Sequence, residues 1–154
     1  MNHCPGFAFF RIAPLVTVFA LGMAQPGLAE AGSASLTVSV TGIKSAKGVI
    51  RLALCPAQAG FPDCKGKVVR SAALPIVNGT AHTVLTGLAP GRYAVSVFHD
   101  ANANNKLDTF VGIPKEGYGF SRNPPFKPRA PRFNEAELNV NGDMTTTIKL
   151  RYLF

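Results

Sequence analysis

Asp100, Asn102 and Asn104 set short oxygen-bearing side chains at alternate positions, and Asp108 returns in the same phase. Alternating Asp and Asn side chains bring oxygens to a common centre, and calcium takes six to eight oxygen ligands. With Asp100 at the first position of an EF-hand-type loop, Asn102, Asn104 and Asp108 fall on ligand positions, and Lys106 would contribute only its main-chain carbonyl. Asn105 stands where the turn glycine is expected, and asparagine tolerates left-handed backbone. Val111 stands where a bidentate glutamate is expected, so Glu116 would fold back to supply that carboxylate. So few acids, with Lys106 among them, imply weak binding, on the order of 10⁻⁴ to 10⁻³ M. The same residues also build consecutive Asx-turns with no metal at all. Both readings stand at this level.

Three further groups bear on chemistry. His99 precedes the Asp/Asn loop, where it either works as an acid–base group beside Asp100 or Asp108 or caps the end of a strand. Residues 112–121 hold Lys115, Glu116, Tyr118 and Phe120 among glycines, the make-up of a small binding surface or of a lid over the end of a sandwich. With His99, the side chains of Lys115, Tyr118 and Phe120 form the expected ligand contacts. Residues 122–132 contain four prolines and four bases around Phe126. Such a stiff ribbon suits an acidic polymer or membrane surface, or simply covers a sheet edge. No nucleophile elbow, zinc-protease motif or phosphate-binding glycine loop occurs. The preferred reading is therefore a non-enzymatic binding module working through residues 99–121. The alternatives are an enzyme using His99 and nearby carboxylates, and a structural envelope protein holding anionic polymer on its basic face.

The elements that must position these groups read as strands. Residues 35–42 alternate Leu36, Val38 and Val40 against Thr37, Ser39 and Thr41. Residues 49–54 turn Ile50, Leu52 and Leu54 inward and Arg51 outward, and the spacing predicts a hairpin between these two strands. Strands follow at 67–76, 80–85 and 92–98, separated by turns at Asn78-Gly79 and Ala89-Pro90-Gly91. Residues 100–131 lose all periodicity. Residues 132–140 read as a short strand or a helical turn, and 144–152 alternate again. About seven short strands with frequent turns predict an all-β fold, an antiparallel β-sandwich of transthyretin-like or Greek-key type with one long irregular loop region.

The approach Gly87-Leu88-Ala89-Pro90-Gly91-Arg92-Tyr93, the block His99 to Asp108 and the block Gly112 to Ser121 together resemble a bacterial family known only as domain of unknown function 2141. Phe133-Asn134-Glu135-Ala136 adds a weaker echo. The resemblance implies a small exported β protein and no particular activity.

The compartment is also legible near the start of the chain. Residues 12–24 are almost wholly apolar and are followed by Gly27-Leu28-Ala29, so residues 1–29 read as a secretory signal peptide and residues 30–154 as a single domain. No membrane-spanning segment is expected after cleavage. The protein is thus expected in the periplasm or outside the cell. The 154-residue chain holds 16 bases against 8 acids. Loss of Arg11 with the leader leaves a charge of about +7, suited to an anionic envelope component and not, in that compartment, to nucleic acid. Export permits a disulfide between Cys55 and Cys64; two free thiols or a metal pair are the rivals, the last lacking a nearby histidine.

Overall fold

The computed structural model describes residues 33–154. The expected signal peptide lies outside the described residues. Ten strands follow in chain order: β1 (Ala34–Thr41), β2 (Val49–Pro56), β3 (Arg70–Leu74), β4 (Ala81–Leu88), β5 (Gly91–Asp100), β6 (Thr109–Phe110), β7 (Ile113–Pro114), β8 (Tyr118–Phe120), β9 (Glu137–Val140) and β10 (Met144–Lys149). One helical turn, α1 (Phe133–Ala136), precedes β9.

Alternation builds the layers. Successive side chains of a strand point to opposite faces, so each strand offers one apolar row. Ala34, Leu36, Val38 and Val40 of β1 are buried, as are Ile50, Leu52 and Leu54 of β2 and Val95 and Val97 of β5. These rows meet in one core with Leu85, Val140 and Ile148. One sheet runs β10-β1-β4; the other runs β3-β2-β5-β8, with β9 also pairing β5. The result is the expected β-sandwich. β9 takes the Gly91–Ala94 half of one β5 edge and β8 takes Ser96–Phe98.

Two features differ from the sequence expectation. β1 and β2 do not form a hairpin: β1 lies between β4 and β10, and its pairing with β10 is parallel. The aperiodic stretch contains β6, β7 and β8, which at two or three residues each are too short to show alternation. Residues 132–140 form both proposed elements in succession, α1 and then β9.

The outer face of the second sheet carries Arg51 and Ala53 from β2 and Ser96, Phe98 and Asp100 from β5. Folded loops cover much of it. Cys55 and Cys64 are joined by a disulfide, and both are fully buried. The bridge holds residues 56–63 back on the sheet. There the Phe61 ring meets Phe120 and Phe133 edge-on, at 5.6 and 6.3 Å between centroids. No helix among the described residues is long and apolar enough to cross a membrane.

Candidate functional site

The end of β5 delivers His99 and Asp100 to opposite faces of the sheet, as a period of two requires. His99 turns toward the core side and is 3% exposed. Its Nε2 lies 2.7 Å from the Lys47 carbonyl oxygen, which only accepts, so Nε2 carries the proton and donates. Its Nδ1 lies 2.9 Å from the Tyr152 hydroxyl, which in turn accepts the Lys44 N–H at 3.2 Å. Both ring nitrogens are therefore engaged, and the ring fastens the 44–47 turn and Tyr152, three residues beyond the end of β10, to β5. Burial pushes the Tyr152 phenol above its ordinary value, the Lys44 N–H opposes this, and the charge of Glu116 adds to the rise.

Asp100 points outward but is fully buried beneath its own loop. Its Oδ2 accepts Arg51 Nε at 2.9 Å and Asn105 N–H at 3.0 Å; its Oδ1 accepts Asn104 N–H at 2.9 Å. Burial alone would raise this carboxyl, but the Arg51 hydrogen bond, the two backbone donors and the guanidinium charge together hold it below the usual carboxylate range. Around it the expected Asx-turns form. Asn102 Oδ1 accepts Asn104 N–H at 3.2 Å, and Asn104 Oδ1 accepts Lys106 N–H at 2.9 Å. Asn105 takes the left-handed conformation its position requires, with φ 66°.

Asp108 and Glu116 close the loop. The Asp108 carboxylate accepts the amide of Asn102 at 2.8 Å and that of Asn104 at 3.0 Å. Glu116 folds back and accepts Ala101 N–H at 3.1 Å and Asp108 N–H at 2.9 Å. The structure thus brings Asp100, Asn102, Asn104, Asp108 and Glu116 into one knot, with Lys106 present through its main chain. Lys115 is exposed and joins it only through its N–H, which donates to Asp108 O at 2.8 Å. Among the described residues no three His, Cys, Asp or Glu side chains are grouped to hold a metal ion. A cation here would need the Asn and main-chain oxygens as well, a donor set that fits calcium and no softer metal.

Tyr118 and Phe120 belong to a different feature. They lie on the edge of an open cleft of about 880 Å³ over the outer face of the second sheet. Phe98 contributes to its floor, and Ile113, Phe126 and Leu153 bring apolar side chains from three separate segments. The glycines beside the aromatics have a packing reason: the Tyr152 ring occupies the space a Cβ on Gly117 would need, and Ile148 occupies that of Gly119. The proline-rich ribbon borders the same cleft. Two of its bases, Lys127 and Arg129, pair with Glu135, which also accepts the Arg132 N–H. Those contacts hold the Glu135 carboxyl far below its ordinary value.

Three contributors escape a reading of the sequence. Arg51 is Asp100's partner, Ser121 is buried and bonds Val95 N–H and the Ala136 carbonyl, and the chain end lines the cleft. A signal existed only for Arg51, since alternation places it outward like Asp100.

These features define a small all-β sandwich domain with a carboxylate-braced loop beside an apolar cleft. The family model for uncharacterised proteins conserved in bacteria (DUF2141) matches residues 38–149. The chain belongs to that family. No curated protein and no solved structure matches it significantly.

Proposed function

We propose that the chain is an exported, non-enzymatic binding module whose ligand occupies the apolar cleft, with residues 99–108 as the frame that fixes its rim. The observation that carries this reading is the convergence of exposed apolar side chains on one concave face. Ile113 is 45% exposed, Phe126 56% and Phe154 67%, and all three line the cleft. Small-molecule sites are concave, mostly apolar and ~300 to 1,000 Å³ in volume. The engagement of both His99 nitrogens and of Asp100 in structural bonds favours a scaffold role for them over acid–base work. The Cys55–Cys64 disulfide supports an oxidising compartment.

The test is titration of the purified protein with Nile red, a neutral dye that brightens in apolar sites. Burying one large apolar side chain is worth ~1.5 to 3 kcal/mol, so Ile113→Asp and Phe126→Asp should each weaken binding by about tenfold or more without loss of fold. No response from the wild type, or equal binding by the variants, would sink the proposal.

A second reading concerns the frame. The gathering of Asp100, Asn102, Asn104, Asp108 and Glu116 in one loop supports calcium as an ordering ion, which would replace the Asn102 and Asn104 amide donors on Asp108. At the weak affinity expected of such a site, about 10 mM calcium should raise the melting temperature over that in EDTA by roughly 5 to 10 °C. Asp108→Ala should abolish the rise. Equal melting in calcium and EDTA would leave the loop as metal-free turn architecture.

A further inference from the structure

A second, smaller cavity of about 460 Å³ adjoins the cleft at the end of the sandwich. Tyr118, Phe120, Pro124 and Arg151 line both, so the two spaces share a wall. Their chemistry differs. The smaller cavity is lined by Lys44, Lys149 and Arg151 and by no acid. Among the described residues none of these three bases forms an ion pair with an acidic side chain. Lys44 Nζ sits 4.7 Å from the centroid of the Tyr152 ring and donates to the Phe154 main-chain oxygen at 3.2 Å. The Arg151 guanidinium stands 5.5 Å from the centroid of Phe126 and donates to Pro124 O at 3.3 Å. Arg151 lines both spaces, and its guanidinium lies between Phe126 of the large cleft and Pro124, which borders both.

An apolar cleft that opens beside a cavity lined by bases without acidic side-chain partners is complementary to a molecule with one apolar tail and one anionic head. We infer that the ligand is a single-chain anionic lipid of the free fatty acid type. Its chain lies along Phe98, Ile113 and Phe126, and its carboxylate is held by Lys149 and Arg151 with Lys44 alongside. Carboxylates pair with guanidinium through parallel hydrogen bonds, and the half-buried Arg151 offers such a pair partial shelter from water. This inference rests on the cleft being the binding site, and adds the head-group cavity to it.

The experiment uses the purified protein and cis-parinaric acid, a fatty acid that fluoresces in apolar surroundings, together with its methyl ester. The acid should bind at least about tenfold more tightly than the ester, since an ionised partner adds a charge-assisted bond that the ester lacks. Lys149→Glu should remove about tenfold from the acid's affinity and leave the ester's unchanged, and Arg151→Met should lower the acid-to-ester affinity ratio by about tenfold. Lys149 is exposed, so its variant tests the charge without risk to the fold. Acid and ester binding equally well, or variants indifferent to the head group, would overturn the fatty-acid assignment and leave the apolar cleft standing. Loss of both parinarate and Nile red binding in the wild type would overturn the assignment and the cleft reading together.

Discussion

Asp100→Ala is expected to cost about 3 kcal/mol of folding stability, near the lower end of the ~3 to 5 kcal/mol typical for breaking a buried ion pair. The lower end applies because the Arg51 side chain keeps 29% of its surface in water while that of Asp100 has none. Removing the carboxylate leaves the guanidinium without its partner, strips the Asn105 N–H of its acceptor and leaves the Asn104 N–H with only its longer bond to Asn102 Oδ1. Denaturant unfolding of Asp100→Ala, Arg51→Met and the double variant checks the origin of the loss. The double variant should recover part of it, since two apolar replacements leave no orphaned charge. A single-variant cost under about 1 kcal/mol would mean that the pair does not brace the loop. The pH dependence has a fixed sign. A carboxyl held below its unfolded value of ~3.9 stabilises the fold above that value, and the contribution is lost as pH falls through the lower folded pKa. The gap between wild type and Asp100→Asn should therefore be flat near neutrality and narrow only in acid below about pH 4.

The Asp100 brace also shows what alternation in a sequence reveals and what it leaves out. Alternation identified the rows Leu36-Val38-Val40 and Ile50-Leu52-Leu54, and both are buried. It did not identify partners. Every strand with one apolar face satisfies the same pattern, so chain proximity favoured a β1–β2 hairpin. The structure instead pairs Leu36 with Met144 in the parallel sense, a contact between the two ends of the domain. The Asp/Asn spacing was legible because Asx-turns are local, each side chain reaching an N–H two residues on. Glu116 was legible as a folded-back carboxylate, although its bonds go to main-chain donors. The cleft was not legible. Phe98, Ile113, Phe126 and Leu153 lie on separate segments, and no period connects residues that meet only through tertiary folding. The ion pairs of residues 122–132 were not legible for the same reason, because Glu135 lies beyond them and the sequence does not show it turning back.

Gly48→Ala should be among the most damaging single substitutions, costing about 4 kcal/mol or more. Gly48 has φ +74°, a conformation that costs an L-residue ~1 to 2 kcal/mol by itself. Here a second cost is added. An added Cβ would collide with the Asp100 carbonyl oxygen and carbon and approach the Ala101 Cα, all main-chain atoms that no rotamer change can move. The collision falls where the β2–β5 ladder ends, at the pairing of Val49 with Asp100. It also falls one residue after Lys47, whose carbonyl accepts the His99 Nε2 proton. Relief by separating the strands would loosen the His99 anchor on one face and the Asp100 brace on the other, so the loop frame and the strand pairing would yield together. Gly79→Ala separates the two costs. Gly79 has φ +73°, and a Cβ there meets nothing within 4 Å, so its variant carries the conformational cost alone, about 1 to 2 kcal/mol. Denaturant unfolding of the two variants side by side should show Gly48→Ala less stable by at least about 2 kcal/mol. Equal losses would mean that the main chain at Asp100 yields freely, and the tight seat assigned to the start of the Asp/Asn loop would then be wrong.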